Sequence, residues 1–340
     1  MERMKLAARA ILAWCACTMM LLAGCDALAR YDPTPVVLII TAVPSSTPRP
    51  SATPTATFTV TPTPTATPDL RPTATAFPCE ETRGQIINFV DNFSEIAQEN
   101  IRYLVYVPPC YFQTQKRFPV VYLLHGLSYR EQQWQDIGLE EALNSGILSG
   151  QIAPMIVVMP YLATIGQLDQ FPPRPSFERV VLEELMPAVE RNFCTLNNRA
   201  SRGIGGISKG GFWAFSIAMR NPQLFTKVGG HSAFFPNDPV SIPPPFNPLE
   251  LANDSQALLE AATSLTMYLD NGAQDQGGRS QQLFSSRLTA RNIAHTYVVN
   301  PIGEHNNEYW AAHIREYVEF YSRGWERDYA NLPSCTDPSP

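Results

Sequence analysis

The pentapeptide Gly206-Ile207-Ser208-Lys209-Gly210 governs how the rest of this 340-residue chain is read. It has the form G-x-S-x-G. An extended run, Arg202-Gly203-Ile204-Gly205, leads into it, and a helix-like run, Phe212 to Met219, follows. A serine on so sharp a turn between strand and helix takes strained dihedrals, and its hydroxyl is lifted clear of the backbone. Side chains two positions either side would strike the neighbouring strand and helix, which accounts for glycine at 206 and 210. Taken alone, the motif also occurs in glycine-rich strand–helix turns with an incidental serine, so the reading depends on partners elsewhere.

When such a serine is a nucleophile, an acid and then a histidine follow it in the chain. Of His125, His231, His295, His305 and His313, only the last three lie late enough. His295 opens the strand-like run to Val299, so its ring faces a sheet surface, and His313 lies inside a helical run. His305 stands in the loop Pro301–Asn307, between that strand and that helix. A loop at a strand's carboxyl end is where an α/β sheet presents catalytic groups. There an imidazole can take the serine proton and return it to a leaving group; the bland alternative is a surface histidine. Two aspartates compete as the acid. Asp275 lies on a loop from which it can reach sideways, whereas Asp270, at the end of the strand Leu265–Leu269, suits a turn or strand cap.

A developing oxyanion needs two backbone N–H donors. Lys209, directly after the serine, supplies one. Leu127, on the turn after the buried strand Val120–Leu124, supplies the other. His125 is then structural, holding this turn by hydrogen bonds. Trp134, a few residues on, lines the substrate pocket or simply packs.

From Cys79 onward, strands and helices alternate. The strands are Val120–Leu124, Met155–Val158, Gly203–Ile207, Lys227–Gly230, Leu265–Leu269 and His295–Val299. The helices are Leu139–Leu148, Phe177–Asn192, Gly211–Arg220, Ser255–Ala262, Gln281–Arg291 and Glu308–Tyr321. Such alternation implies a mostly parallel twisted sheet with helices on both faces. Two earlier runs, Gly84–Val90 and Ile101–Val107, are expected to pair antiparallel at its edge. The loop Tyr161–Pro175 and the proline-rich insert Phe234–Pro248 follow strand ends, where they form a rim or lid over the site or serve as plain connections.

In the order and spacing of these pieces the chain resembles the esterase D-like branch of the α/β-hydrolases. That branch includes feruloyl and acetyl-xylan esterases, enterochelin esterases, S-formylglutathione hydrolase and the mycobacterial mycolyltransferases. The matching residues are Val120–Gly126 with Trp134, Leu185-Met186-Pro187, Gly206–Gly211, Asn221–Phe225, Gly272-Ala273-Gln274-Asp275, and Gly303-Glu304-His305 with Trp310. The resemblance implies an α/β-hydrolase fold, a serine esterase without a cofactor, Asp275 as the acid, and His125-Gly126-Leu127 as the oxyanion loop. Lys209 departs from the apolar residue frequent in the family and could bias the pocket toward anionic substrates. The implied substrates are carbohydrate-linked acyl or feruloyl esters, or siderophore esters. Two rival readings are an acyltransferase using the same triad and a non-catalytic envelope-binding lipoprotein, against which the full serine–aspartate–histidine set argues.

The amino terminus has another character. Arg3, Lys5 and Arg9 precede an apolar run, Ile11–Leu22, too short for a comfortable membrane span. It ends in Leu22-Ala23-Gly24-Cys25, which resembles a bacterial lipobox with Cys25 as the lipidated residue. The alternative is an ordinary secretory signal. Residues 1–25 are therefore read as a lipoprotein signal and 26–78 as a disordered Thr/Pro-rich linker. Residues 33–78 hold 11 prolines and 13 threonines, and their only charges are Arg49, Asp69 and Arg71, so this stretch cannot build a core. As extended polyproline it would reach at most ~140 Å. The apolar patch Val36–Ile40 interrupts it and is expected on a membrane surface or on the catalytic domain.

Residues 79–340 form one esterase domain. Its four cysteines, Cys79, Cys110, Cys194 and Cys335, admit three pairings in an oxidising compartment. Cys79 precedes the first edge strand and Cys110 follows the second, which favours Cys79–Cys110 and leaves Cys194–Cys335 to tie down the tail. No metal-binding spacing is present. The net charge of −6 gives no reason to expect nucleic acid as a partner. The partners expected are an ester substrate and, through the anchor, the outer face of a bacterial membrane.

Overall fold

The computed structural model describes residues 36–40, 80–89, 92–237, 241–253 and 264–336. Nine strands form one sheet: β1 Val36–Ile40, β2 Gln85–Phe89, β3 Tyr103–Val107, β4 Val120–Leu124, β5 Ile156–Pro160, β6 Arg202–Ile207, β7 Lys227–His231, β8 Thr266–Gly272 and β9 His295–Asn300. Their order across the sheet is β1-β9-β8-β7-β6-β4-β5-β3-β2. Strands β4 to β9 run parallel to their neighbours within that group. Strands β2 and β3 pair antiparallel at one edge, and β3 is antiparallel to β5. This is the expected α/β-hydrolase architecture.

The central strands are buried along their whole length, as their unbroken apolar or glycine-rich sequences require when helices cover both faces. Side chains of β4 divide by parity. Val120, Tyr122 and Leu124 join a cluster with Phe212, Trp213 and Phe215, which lie on helix α2, Lys209–Arg220. Val121 and Leu123 join a cluster with Leu139 and Leu143 of α1, Leu139–Leu148, and with Trp310, Tyr317 and Tyr321 of α4, Asn307–Ser322. One strand thus fastens both helical layers, because successive side chains point to opposite faces.

Differences from the sequence reading are local. Helix α2 begins at Lys209 rather than Gly211, because Ser208 already breaks the strand. The long helix over 177–192 contains a π-helical stretch, Val180–Leu185. Helix α3, Gly278–Ala290, starts three residues early. The whole of the expected helix Ser255–Ala262 lies outside the described residues, as do Cys25 and Cys79. Within the residues read as a disordered linker, Val36–Ile40 is a strand. It pairs antiparallel with β9, Val36 opposite Val299 and Ile40 opposite His295, so the patch caps that edge of the sheet.

Cys194 and Cys335 are bonded, with Cα atoms 5.5 Å apart and a sequence separation of 141. The bridge holds the C-terminal tail against the body, where Cys335 N–H also donates to Gln115 O at 2.7 Å. Closing so long a loop restricts the unfolded chain, and losing such a bridge typically costs about 2–5 kcal/mol. Cys335→Ser should therefore lower the denaturation midpoint and, because the unfolded chain can then expand further, raise the m-value. An unchanged midpoint would show that the tail contributes nothing to stability.

Candidate active site

Ser208 sits between β6 and α2 at φ 53°, ψ −113°, a conformation that side-chain-bearing residues avoid. Its flanking glycines are required by distance. A Cβ at Gly206 would lie 2.3 Å from the Gly210 carbonyl carbon, and one at Gly210 would lie 2.3 Å from Leu124 O. The first contact is with the following helix and the second with the end of β4, so the turn closes only with glycine at both positions. Two hydrogen bonds clamp the serine backbone to the end of β7 and the turn just beyond it: Ser208 N–H to His231 O at 3.0 Å, and Phe234 N–H to Ser208 O at 3.2 Å.

His305, in the loop after β9, brings Nε2 to 2.9 Å from Ser208 Oγ. Its Nδ1 lies 3.0 and 3.1 Å from the two carboxylate oxygens of Asp275. With Nδ1–H donating to the carboxylate, Nε2 is left to accept the serine proton. Asp275, on the loop after β8, has no side-chain exposure, whereas the His305 side chain is 34% exposed, so the set opens to solvent only at its serine end. Burial pushes the Asp275 carboxyl upward. Hydrogen bonds from His305, Ser232 and Gly277, with the His305 charge, outweigh it and leave the carboxyl below its usual range.

Asp270 does not reach His305. It is fully buried and serves neither as a turn former nor as a strand cap. Its Oδ1 meets His231 Nδ1 at 2.8 Å, and its Oδ2 accepts from Tyr309 at 2.6 Å and Tyr317 at 2.8 Å. His231 Nε2 meets the Tyr321 hydroxyl at 3.0 Å. This polar cluster joins β7, β8 and α4 beneath the site.

The turn after β4 approaches Ser208 closely: a Cβ at Gly126 would be 3.6 Å from Ser208 Cβ. Gly126 N–H already donates to Gln133 Oε1 at 2.8 Å, so Leu127 carries the next N–H. His125 holds this turn, as expected of a structural residue. Its Nδ1–H donates to Gly126 O at 2.7 Å, and its Nε2 accepts from Leu162 N–H at 2.9 Å. Burial lowers its pKa to about 4, which keeps it neutral in this role. Gln133 was not legible as a site residue. It also donates to Asn307 Oδ1 at 3.0 Å, tying the turn to the helix that follows His305. Nothing in its sequence neighbourhood marks that contact.

Two sequence expectations are corrected. Trp134 does not line the pocket; it is completely buried, and its Nε1–H donates to Leu124 O at 3.1 Å. The Lys209 side chain does not offer the pocket a free cation. It is largely buried against Phe212 and forms an ion pair with Asp169, in the loop after β5. Burial lowers its pKa, with Asp169 opposing the shift. The cavity above Ser208 and His305 measures about 650 Å³, and Phe234, Gln274, Gln276 and Glu304 complete much of its wall. Phe234, from the proline-rich insert, presents a half-exposed ring at this rim.

Residues 94–324 match the Esterase family. The chain belongs to that family. Its described domain is therefore of the serine carboxylic ester hydrolase type. It is 34% identical over 130 residues to an endo-1,4-beta-xylanase/feruloyl esterase of Xylanibacter ruminicola, a match covering 36% of this chain and 18% of that protein. The chain thus spans only a minor part of that curated relative. Among solved structures, a ferulic acid esterase superposes with a TM-score of 0.64 at 22% identity, covering 71% of this chain and 99% of the other. An S-formylglutathione hydrolase from Staphylococcus aureus superposes with a TM-score of 0.61 at 20% identity and the same coverage. These likenesses establish the shared fold.

The depressed Asp275 pKa has a pH consequence. Stability from such a group is present above its unfolded pKa of about 3.9 and is lost as pH falls through the lower folded value. The stability gap between wild type and Asp275→Asn should be largest near neutrality and shrink below pH 4, as read by denaturant titration. A gap constant with pH would contradict the assigned hydrogen bonds.

Proposed function

We propose that this chain is a lipid-anchored, extracytoplasmic serine esterase that hydrolyses carboxylic esters through an acyl-enzyme. The observation that carries this reading is the unbroken line of contacts from Ser208 Oγ through the His305 imidazole to the Asp275 carboxylate. Ser208 Oγ attacks the ester carbonyl carbon while its proton passes to His305 Nε2. The N–H groups of Leu127 and Lys209 stabilise the oxyanion. The intermediate collapses, His305 returns the proton to the departing alkoxide, and an alcohol leaves. Water then repeats the sequence on the acyl-enzyme and releases the acid. Asp275 stays ionised, fixes the imidazole tautomer and stabilises the transient imidazolium.

Carbohydrate-linked acyl or feruloyl esters suit the cavity best. Gln274, Gln276 and Glu304 offer hydrogen bonds to hydroxyl groups, and Phe234 offers a ring for an apolar or sugar face. The activities for which the xylanase/feruloyl esterase relative and the ferulic acid esterase are named agree with this choice. Cys25 is the proposed lipidation site, placing the domain on the outer face of a bacterial membrane.

Ser208→Ala should reduce kcat/KM for aryl and feruloyl esters by at least about 10³-fold without unfolding the protein. Retained turnover in the alanine variant would refute the nucleophile. Free acid should form with or without an added sugar acceptor; formation of the acylated acceptor in its place would identify a transferase. In cells, a palmitate analogue should label the full chain and fail to label Cys25→Ser. Equal labelling of both would refute the anchor.

A further inference from the structure

A second cavity, of about 380 Å³, opens beside the catalytic one, and Gln274 and Glu304 stand in the walls of both. Ile302, Glu308, Ala312 and His313 line much of its remainder. A lone exposed isoleucine needs no explanation. This one is 72% exposed and walls a cleft that adjoins the cavity of Ser208 and His305. The cleft is preformed. Gln274 is stitched to the loop after β9 by three hydrogen bonds: its N–H donates to Gly303 O at 3.0 Å, its Oε1 accepts from Gly303 N–H at 2.7 Å, and its Nε2 donates to Pro301 O at 3.2 Å. Gly303 holds φ at 143°, and a Cβ there would lie 2.2 Å from the Tyr309 ring, so only glycine lets this loop lie against α4. Walls held in this way lower the cost of binding a ligand.

The chemistry decides which half of a substrate meets this cleft. The oxyanion points to the N–H groups of Leu127 and Lys209. The leaving oxygen must lie within hydrogen-bond reach of His305 Nε2, which returns the proton to it. Trp310 is buried and stands edge-on to the imidazole, with ring centroids 5.1 Å apart. The indole fills the inner side of His305, so the departing alcohol takes the side that faces solvent. The substituent on that oxygen then runs out over the loop that carries His305, and residues 302–304 of this loop wall the second cavity. Among the described residues, the side chains of Glu304 and Glu308 have no hydrogen-bond or ion-pair partner. Carboxylates accept from hydroxyl groups and repel anions. His313 does not offset them, because its Nδ1 faces Glu316 Oε1 at 3.3 Å.

We infer that this cleft is a leaving-group subsite that takes a neutral sugar carried on the ester oxygen. Glu304 and Glu308 accept from the sugar hydroxyls, and Ile302 lies against its apolar face. The inference rests on the esterase reading above and deepens it: the carbohydrate is assigned to the alcohol side of the ester, and its charge class is set by the two carboxylates.

Two esters of ferulic acid test this with the full chain: the methyl ester, whose methanol is too small to reach the cleft, and an ester on a hydroxyl of a neutral xylo-oligosaccharide. Wild type should prefer the oligosaccharide ester at least about tenfold in kcat/KM, the gain expected from one hydrogen bond to a charged group. Ala312→Trp fills the cleft from an exposed position on α4 and should abolish that preference through a raised KM for the oligosaccharide ester. Glu308→Ala, also exposed, should reduce the preference severalfold. Absence of a preference in wild type would overturn the subsite while leaving the esterase reading intact. A preference that survives Ala312→Trp, or an equal loss for both esters, would do the same. If wild type cleaves neither ester, the proposed function fails, and calorimetric titration of Ser208→Ala with the free xylo-oligosaccharide decides the cleft separately. Saturable binding removed by Ala312→Trp would uphold it, and no binding would overturn it.

Discussion

The backbone of Ser208 must be held where an L-residue is strained, and the neighbouring contacts divide that task. Gly206 and Gly210 remove the side chains that would keep β6, α2 and the end of β4 apart. The end of β7 and the turn after it then grip the serine, His231 O at its N–H and Phe234 N–H at its carbonyl. Buried strands on either side leave this turn no room to relax. Strain of this kind, about 1–3 kcal/mol, is tolerable because the surrounding core over-determines the geometry. Its return is a hydroxyl projecting from the sheet at 2.9 Å from His305 Nε2.

A buried polar scaffold supports the strained turn. Asp270, His231, Tyr309, Tyr317 and Tyr321 fasten the carboxyl ends of β7 and β8 to α4. The same helix carries Trp310, and the loop before it carries His305. Shifting α4 would therefore disturb the base, the indole beside it and the pair beneath it together. A buried ion-pair-like cluster gives little net stability over an apolar core, and its recurrent benefit is a unique arrangement. Here that arrangement fixes two strand ends and one helix relative to Ser208.

Much of this was legible in sequence because short-range steric rules leave distinct traces. Gly206 reflects a contact with Gly210 only four residues on. The G-x-S-x-G spacing is itself local even though Gly210 answers to Leu124 O, and the strand and helix alternation reflects periodic burial. Placing His305 between a strand and a helix needed only local pattern. Other features depended on contacts between residues far apart in the chain. Asp270 looked like a strand terminus because its partners His231, Tyr309 and Tyr317 are 39 to 47 residues away. Gln133 meets Asn307 across 174 residues, and Lys209 loses its free charge to Asp169 across 40. Trp134 sat in the right loop for a pocket residue, but its indole turned inward to Leu124. Val36–Ile40 had strand-forming residues, yet only the open edge at β9 gave them a partner.

All of this arranges a single reacting oxygen, so the central claim is that an acyl group is transiently bonded to Ser208. The direct measurement is rapid acid quenching during turnover of a slowly deacylating aryl ester, followed by peptide mass spectrometry of the full chain. The account predicts an acyl adduct on the peptide containing Ser208, forming and decaying at rates consistent with turnover and absent in Ser208→Ala. Turnover without an adduct at any quench time, or an adduct on another residue that accounts for turnover, would contradict it.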